Sequence, residues 1–294
     1  YSPGLVGIIA TESSVSNING KKGILSYRGY SIEELAQKST FEETSYLLLF
    51  GELPTLAQLK EFTSKVTEYR DLPEELVLIL KALPKHTRPM DVLQMAVSSL
   101  GTFYDLEVSP EKVKGKKYDD EYFLNTSAAL IGALGSIVAA WHRIRNGDEP
   151  ISSKPDCTYA ENFLHILGAE KITPLMTRIM DATLVLHGEH TINASTFTAM
   201  VTSSTLANAS QVVASAIGSL SGPLHGGANE KVIAMLQKIE SKEEIRPWLD
   251  ETLKAKNVVW GMGHREYSVK DPRANILTDM VQELFEEREG GVTD

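Results

Sequence analysis

The sequence predicts an all-α protein with a large helical domain, a smaller mobile helical domain and a minor N-terminal β-hairpin. Three observations support this fold class. Capping-box spacing recurs in the first part of the chain, because Ser31, Thr40 and Thr55 are each followed three residues later by Glu or Gln. Runs of β-branched residues with the period of a strand are nearly absent. Asn19 and Gly20 form a turn pair of the kind that joins two short strands.

The elements can be assigned in chain order from these signals. Residues 4–29 carry a short-strand pattern around the Asn19–Gly20 turn, which fits a small hairpin. The helix that starts after Thr40 is expected to stop at Gly51, and Pro73 fits the first turn of another helix. Apolar residues at helical spacing predict helices over residues 73–83, 90–104, 121–145, 159–167, 174–187, 195–207, 209–220 and 230–239.

The domain organisation follows from one apolar stretch and one break. Residues 128–141 are apolar but interrupted by glycines and Ser136, and they are too few to span a bilayer. We therefore expect a buried, close-packed helix there and no membrane partner. The sequence Ser221-Gly222-Pro223 interrupts the helical pattern directly before a histidine motif. It predicts a large helical domain over residues 1–221 and a small domain over residues 222–294.

Composition and charge narrow the class of function. The chain has 294 residues and a net charge of −10, which argues against general nucleic-acid binding. Its one cysteine, Cys157, excludes an intramolecular disulfide and indicates a reducing compartment, for which we expect the cytoplasm. No secretory signal is visible. Because the first residue is Tyr1 and not Met, we expect that the natural N-terminus lies outside this sequence.

Three short stretches concentrate histidine in glycine-rich surroundings. Glycines beside an imidazole remove side-chain bulk, so both the ring and the backbone can approach a ligand closely. A histidine at a helix end or bend also combines a titratable ring with free backbone N–H groups. This pattern indicates a small-molecule active site for anionic or carbonyl chemistry. The stretches are His187-Gly188-Glu189-His190, Pro223-Leu224-His225-Gly226-Gly227-Ala228-Asn229-Glu230, and Gly261-Met262-Gly263-His264-Arg265-Glu266-Tyr267 with the following Asp271-Pro272-Arg273.

These motifs, in this order on a helical chain, resemble the citrate synthases, particularly the bacterial type. The resemblance begins at Gly23-Ile24-Leu25-Ser26-Tyr27-Arg28-Gly29-Tyr30, includes residues 186–197 and continues to the end of the chain. It implies an enzyme that condenses acetyl-CoA with oxaloacetate and then hydrolyses the citryl thioester. Both substrates are small molecules, and the resemblance implies no metal or redox cofactor.

The resemblance also implies a role for each site residue. His225 donates a hydrogen bond to the developing enolate oxygen, and His264 polarises the ketone of oxaloacetate. His190 and Arg273 contact the same substrate, Arg273 through a bidentate fork to a carboxylate. Ser195 lies beside the substrate and orients the His225 ring. The CoA adenine is held by the backbone of Val259, Trp260, Gly261, Met262 and Gly263.

The sequence departs from the family pattern at several positions. The family's catalytic base belongs to an Asp-Phe-Tyr-Ser-Gly-like motif that does not occur here, and neither Asp279 nor Asp294 has that context. We therefore expect that the base and further substrate arginines lie outside this sequence, and that the small domain is incomplete. Ser268 and Met200 replace basic residues that many relatives carry, which bears on CoA affinity.

Several alternatives remain open at this point. A 2-methylcitrate synthase, which takes propionyl-CoA, would share every motif. A citryl-CoA lyase or the citryl-cleaving module of a larger enzyme is a second alternative, disfavoured because this sequence shows no nucleotide-activating domain. A catalytically silent helical scaffold is a third, which the missing family aspartate permits. His187, Glu189 and His190 could suggest a metal site, but no third ligand has standard spacing, so we expect none. The small residues over 128–140 suggest a helix buried between subunits, hence a homodimer or higher homo-oligomer. The alternative is that this helix packs within the chain.

Overall fold

The structure is a computed structural model, and it describes residues 7–109, 111, 113–114, 117–264 and 266–287. Within these residues the chain forms thirteen α-helices and two small antiparallel sheets, so the all-α prediction is confirmed. The helices are α1 Ile32–Lys38, α2 Phe41–Phe50, α3 Leu56–Glu68, α4 Glu74–Ala82, α5 Pro89–Ser99, α6 Asp120–Asn146, α7 Tyr159–Leu167, α8 Pro174–Leu186, α9 Ala194–Ser203, α10 Ala209–Leu220, α11 Ala228–Leu236, α12 Lys242–Lys254 and α13 Pro272–Glu287.

The predicted N-terminal hairpin is present. Strand β1 (Ser16–Asn19) pairs antiparallel with β2 (Ile24–Tyr27), and β2 continues into a short third strand, β3 (Tyr30–Ser31). Asn19 pairs with Ile24, and the N–H of Lys22 donates to the carbonyl of Asn19, which closes the turn. A second small sheet, β4 (Val113–Lys114) with β5 (Lys117–Tyr118), was not predicted because two-residue strands carry no periodic signal.

The helix ends follow the capping residues of the sequence. Thr40 and Thr55 each form a complete capping box, and Ser31 accepts the N–H of Glu34. Gly51 ends α2 in the left-handed conformation, as predicted. Pro73 lies at the N-cap of α4, one residue earlier than expected.

Other predicted helix boundaries need larger corrections. The helix predicted over residues 90–104 ends at Ser99, because the chain tightens into a 3-10 turn at Leu100–Thr102. The helix predicted over residues 195–207 ends at Ser203. Helix α12 was missed, since its charged residues and internal Pro247 obscure the apolar spacing.

Helix α6 is the centre of the larger hydrophobic core. Its small residues pack closely on neighbours of the same chain: a Cβ atom at Gly132 would lie 2.9 Å from the Tyr69 side chain, and one at Gly135 would lie 2.7 Å from the Tyr159 hydroxyl. These two glycines are therefore covered within the chain by α3 and α7, as the intrachain alternative expects, and the subunit interface stays a prediction. Within the described residues α6 is long and apolar enough to cross a membrane, yet 56% of its apolar window is buried in the molecule.

A second core cluster lies beneath the histidine motifs. It combines β2, α1, α8 and α13 through Leu25, Tyr27, Leu186, Ile276 and Met280, all of them buried. Helix α13 thus packs against the first part of the chain, although its residues fall within the predicted small domain. By contrast, α11 and α12 have no buried residues. The domain boundary after residue 221 stays a prediction.

A buried ion pair fixes three helices of the first region to one another. The guanidinium of Arg70, which is completely buried, lies 3.8 Å from Oε1 of Glu42, whose side chain is 6% exposed. Oε1 of Glu42 also accepts the N–H of Tyr159 at 2.7 Å, and Arg70 donates to the carbonyl of Cys157 at 2.8 Å. The pair connects α2, the end of α3 and the start of α7.

Candidate active site

The loop between α8 and α9 presents His190 in a constrained conformation. Thr191, the next residue, has a φ of 69°, which is unusual for a β-branched residue. The carboxylate of Glu189 stabilises this turn by accepting the N–H of Thr191 at 2.6 Å and the hydroxyl of Ser16 at 3.1 Å. The N–H of Glu189 in turn donates to the hydroxyl of Tyr27 at 3.2 Å. Local strain of this kind is found where a side chain must be presented to a ligand.

His190 and His264 lie together although 74 positions separate them in the numbering. Their ring centroids are 5.4 Å apart, and the Tyr267 ring lies 5.6 Å from His190 and 4.9 Å from His264. The Tyr267 hydroxyl is 3.3 Å from Nε2 of His190. Burial, together with the positive charge of Arg273 and the neighbouring His264, lowers the pKa of His190, which favours a neutral ring.

The backbone fixes the tautomer of His264. Its Nδ1 accepts the N–H of Glu266 at 3.0 Å and the N–H of Tyr267 at 3.2 Å. The hydrogen of the neutral ring therefore lies on Nε2, because Nδ1 faces two donors. His264 is exposed, so Nε2 is a hydrogen-bond donor that a ligand oxygen can reach.

Arg273 is paired within the site. Its Nη2 lies 2.7 Å and its Nε 3.0 Å from the carboxylate of Asp271, and its backbone N–H donates to the same group. Burial acts to raise the pKa of Asp271, but the hydrogen bonds from Arg273 outweigh it and the pKa is lowered. The Nε–Nη2 edge is thus occupied. Among the described residues Nη1 has no hydrogen-bond partner, so the outer Nη1–Nη2 edge is the one that can meet a carboxylate.

Ser195 and His225 form a second polar pair. Oγ of Ser195, in the first turn of α9, lies 2.7 Å from Nε2 of half-buried His225. The turn that carries His225 needs its glycines, since a Cβ atom at Gly226 would collide with the carbonyl of Leu220 and one at Gly227 would lie 3.0 Å from Pro223. The glycine pair therefore allows the tight turn before α11. Among the described residues no hydrogen bond, ion pair or ring contact joins this pair to the His190–His264 group.

Residues 259–263 form an exposed turn beside α11. Gly261 and Gly263 have φ values of 87° and 83°, and Met262 is 76% exposed. The Nζ of Lys231 lies 4.2 Å from the centroid of the Trp260 ring, which is a cation–π contact. This contact ties the turn to the helix that follows His225. The contact could not be predicted from the sequence, because Lys231 and Trp260 are far apart in the chain.

His190, His264 and Asp271 also present nitrogen and oxygen atoms that all lie within 4.8 Å of one another, a possible cation site. The hydrogen bonds oppose that use. A metal on Nε2 of His264 would require the ring hydrogen on Nδ1, which already faces two backbone N–H groups. Asp271 is also neutralised by Arg273 at 2.7 Å. The arrangement is better suited to an anion with a carbonyl group.

Comparison with known proteins gives a consistent result. The family model described as "Citrate synthase, C-terminal domain" matches residues 4–293. A citrate synthase of Acidithiobacillus ferridurans is 44% identical over 285 residues, which cover 97% of this chain and 73% of that protein. A 2-methylcitrate synthase of Shewanella oneidensis is 37% identical over 96% of this chain and 72% of its own length.

Solved structures lead to the same group of proteins. A citrate synthase from Pyrobaculum aerophilum superposes with a TM-score of 0.88 at 35% identity, covering 97% of this chain and 71% of that one. A citrate synthase from Thermoplasma acidophilum, solved with carboxymethyl coenzyme A and oxaloacetate, has a TM-score of 0.86 at 29% identity over 98% of this chain and 74% of its own.

Proposed function

The chain belongs to the citrate synthase family, and on this premise we infer that it condenses acetyl-CoA with oxaloacetate and hydrolyses citryl-CoA to citrate and CoA. The observation that supports this most strongly is the grouping of His264, whose Nδ1 accepts two backbone N–H groups, with Arg273 and His190 in one cluster. Such a cluster suits a substrate with a ketone between two carboxylates.

For oxaloacetate, we propose that Nε2 of His264 donates to the ketone oxygen and draws electron density from the carbonyl carbon. Arg273 meets a carboxylate through its outer edge, since Asp271 occupies the other edge. His190, kept neutral by burial and by Arg273, donates a hydrogen bond to the same substrate or accepts one from it. Together these groups favour nucleophilic attack on the ketone carbon.

For acetyl-CoA, we propose that His225 donates a hydrogen bond to the thioester oxygen as the methyl group loses a proton. The 2.7 Å contact with Ser195 supports this role because it holds the ring in one orientation. The turn formed by Val259, Trp260, Gly261, Met262 and Gly263 would receive the adenine of CoA on its exposed backbone. The base that takes the methyl proton is not assigned to a residue of this sequence.

The main alternative reaction is 2-methylcitrate formation from propionyl-CoA, because relatives with that name reach 37% identity. One additional methylene changes binding by only about 1–3 kcal/mol, so the pocket around the acyl group decides between the two. Comparing kcat/KM for acetyl-CoA and propionyl-CoA separates them. Absence of turnover with either thioester would instead favour the silent scaffold.

We further propose that the enzyme works in the cytoplasm, without metal or redox cofactor, as a homodimer or larger homo-oligomer. The hydrogen bonding of His264 supports the metal-independent mechanism, and the single Cys157 agrees with a reducing compartment. The oligomeric state is inferred from the family resemblance and the small residues of α6, two of whose glycines are covered within the chain. A monomeric mass in solution at micromolar concentration would contradict it.

The sharpest test replaces the two histidines separately in the full-length protein. His225→Ala should abolish exchange of acetyl-CoA methyl protons with solvent. His264→Ala should slow carbon–carbon bond formation and retain some proton exchange. Each lost donor should cost about 3–4 kcal/mol in the step it serves. His86→Ala, at an exposed position outside the site, is the matched control. Full activity in one variant removes that histidine from the mechanism, and full activity in both overturns the proposed reaction.

A further inference from the structure

The N-terminal hairpin contacts both segments that carry the His190–His264 pair. We infer that this hairpin is a positioning element for the two histidines, and that Gly20, at its turn, is the positioning residue on which their geometry depends. The inference rests on the proposed function for its kinetic consequences, whereas its structural basis is independent of the substrate.

The first contact is between the hairpin turn and the backbone of residues 266–268. A Cβ atom at Gly20 would collide with the carbonyl oxygen of Glu266 and lie 2.7 Å from its carbonyl carbon. It would also lie 3.3 Å from Cα of Tyr267. The N–H of Ser268 donates to the carbonyl of Gly20 at 3.0 Å. Two backbones thus meet with no side chain between them.

Gly20 is needed at this position for space. Its φ lies outside the left-handed region, unlike that of Gly23 and Gly29 in the same part of the chain. An alanine at position 20 therefore introduces no backbone strain of its own. Its methyl group would act only on Glu266 and Tyr267, which makes the substitution a local probe of this contact.

Residues 266 and 267 transmit the contact directly to both histidines. Their two backbone N–H groups donate to Nδ1 of His264, and the Tyr267 hydroxyl lies 3.3 Å from Nε2 of His190. Relieving the collision requires the segment to move by about 1 Å or more, and a displacement of that size can reduce a rate by about 10²-fold. The position of the turn thus controls the direction of both rings.

The second contact reaches His190 from the other end of β1. Ser16 donates to Glu189, and the same carboxylate oxygen accepts the N–H of Thr191, the residue held at a φ of 69°. Tyr27 of β2 accepts the N–H of Glu189 and donates to the carbonyl of Leu186. The hairpin therefore supports the His190 loop through β1 and β2 and the His264 segment through its turn.

The experiment compares Gly20→Ala with two matched variants of the same region. Lys21→Ala changes an exposed side chain of the same turn. Gly29→Ala adds a methyl group at a φ of 94° with no atom within 4 Å, so it strains the backbone without touching the site. Gly20→Ala should lower kcat/KM for oxaloacetate by about 30- to 100-fold. Its KM for acetyl-CoA should stay within about threefold of the parent, as should all kinetic constants of both controls.

A second readout separates this inference from the proposed reaction. In protein labelled with ¹⁵N-histidine, Gly20→Ala should shift the ring signals of His190 and His264 and leave those of His225 unchanged. Ser16→Ala, which removes the single part-buried hydrogen bond to Glu189, should shift the His190 signals alone and lower kcat/KM for oxaloacetate about fivefold. If the parent neither binds nor turns over oxaloacetate, the proposed function fails while the ring signals still test the positioning role.

Two results would overturn the inference. One is unchanged ring signals of His190 and His264 in Gly20→Ala. The other is a loss of activity in Gly29→Ala as large as that in Gly20→Ala, since the hairpin would then act only through general stability. If Gly20→Ala fails to fold, Ser16→Ala decides: unchanged His190 signals in that variant count against the positioning role.

Discussion

The part of the chain up to Ser221 and the part after it differ in the interactions that stabilise their helices. The first region contributes three buried clusters. Most of its helices have side-chain caps, and the buried Glu42–Arg70 pair connects three of them. In the second, α11 and α12 have no buried residues, which is also true of α9 in the first, and of the three helices that the structure describes there only α13 packs into a core of the first region. Yet His225 and His264 both lie in the second region. The buried clusters therefore lie mainly in the first region, whereas the site takes residues from both, since His190 and Ser195 belong to the first region.

The largest effect is expected for a variant of the buried ion pair, which tests whether the stability of the protein depends mainly on the first region. Glu42→Ala leaves the completely buried Arg70 guanidinium without its charge partner and removes the acceptor of the Tyr159 N–H. We expect the free energy of unfolding in urea to fall by about 3–5 kcal/mol. Asp250→Ala, which breaks the exposed Arg246–Asp250 pair of α12, should cost about 0.5 kcal/mol or less. Similar losses in the two variants would remove the distinction between the regions.

The next effect concerns Arg273, which stands where α13 joins the two regions. Arg273→Lys keeps the charge but cannot bond Asp271 along one edge and a substrate carboxylate along the other. We expect transition-state binding of oxaloacetate to weaken by about 2–4 kcal/mol, measured as kcat/KM. The KM for acetyl-CoA serves as the internal control. Kinetics within threefold of the parent would contradict the assignment of this residue.

A smaller effect is expected on the pH dependence of stability, through Asp181 of the first region. Burial, with the nearby Glu42 and Glu43 adding to it, raises the pKa of Asp181 from 3.8 to about 6, despite the hydrogen bond from the Phe41 N–H. Between these values the folded state binds more protons than the unfolded state, so this group's contribution to stability falls as pH rises. Asp181→Asn removes the charge and keeps an oxygen acceptor for Phe41. We therefore expect the variant to be more stable than the parent at pH 7.

The measurement for Asp181→Asn is urea unfolding at a series of pH values from 4 to 7. The advantage of the variant should shrink as the pH falls from about 6 towards about 4, because the parent carboxyl becomes protonated in both states. Asp279→Asn, which makes the same change on the exposed side of α13, is the control. An advantage that does not change with pH would show that charge burial is not its cause.

The smallest effect is expected in the second region. Lys231→Gln removes the cation–π contact that holds Trp260 against α11. Such a contact contributes about 0.5–1 kcal/mol. Its loss should therefore raise the KM for acetyl-CoA about two- to fivefold and leave the KM for oxaloacetate unchanged. Lys238→Gln, at an exposed lysine just beyond α11, is the control. A change in oxaloacetate kinetics instead would mean that the turn at 259–263 acts on the other substrate.

Much of the fold could be predicted because its signals are local. Thr40 and Thr55 mark helix starts through contacts within four residues, and Gly51 marks an end by its own conformation. The histidine motifs were equally visible, since glycine and proline surround them in the sequence. Short-range chemistry of this kind can be deduced from a single sequence.

The contacts that arrange the site could not be predicted in the same way. Tyr267 was not expected beside His190, and Asp271 was not expected to occupy one edge of Arg273. The collision that excludes a side chain at Gly20 involves a residue near the other end of the chain. Each of these depends on tertiary packing, which leaves no periodic or spacing signal. The small residues of α6 could be recognised in the sequence, but the sequence did not show which helices would pack against them.

The packing of α6 also limits how the protein can be engineered. Replacing a glycine inside a helix by alanine ordinarily stabilises a protein by about 0.5–1 kcal/mol, and it is a common first choice in thermostabilisation. At Gly132 and Gly135 the added methyl group would meet the Val66 carbonyl and Tyr69, or the Tyr159 hydroxyl. A designer who screens glycines by helix propensity alone would choose the two positions of this helix where the neighbouring helices leave no room for a methyl group.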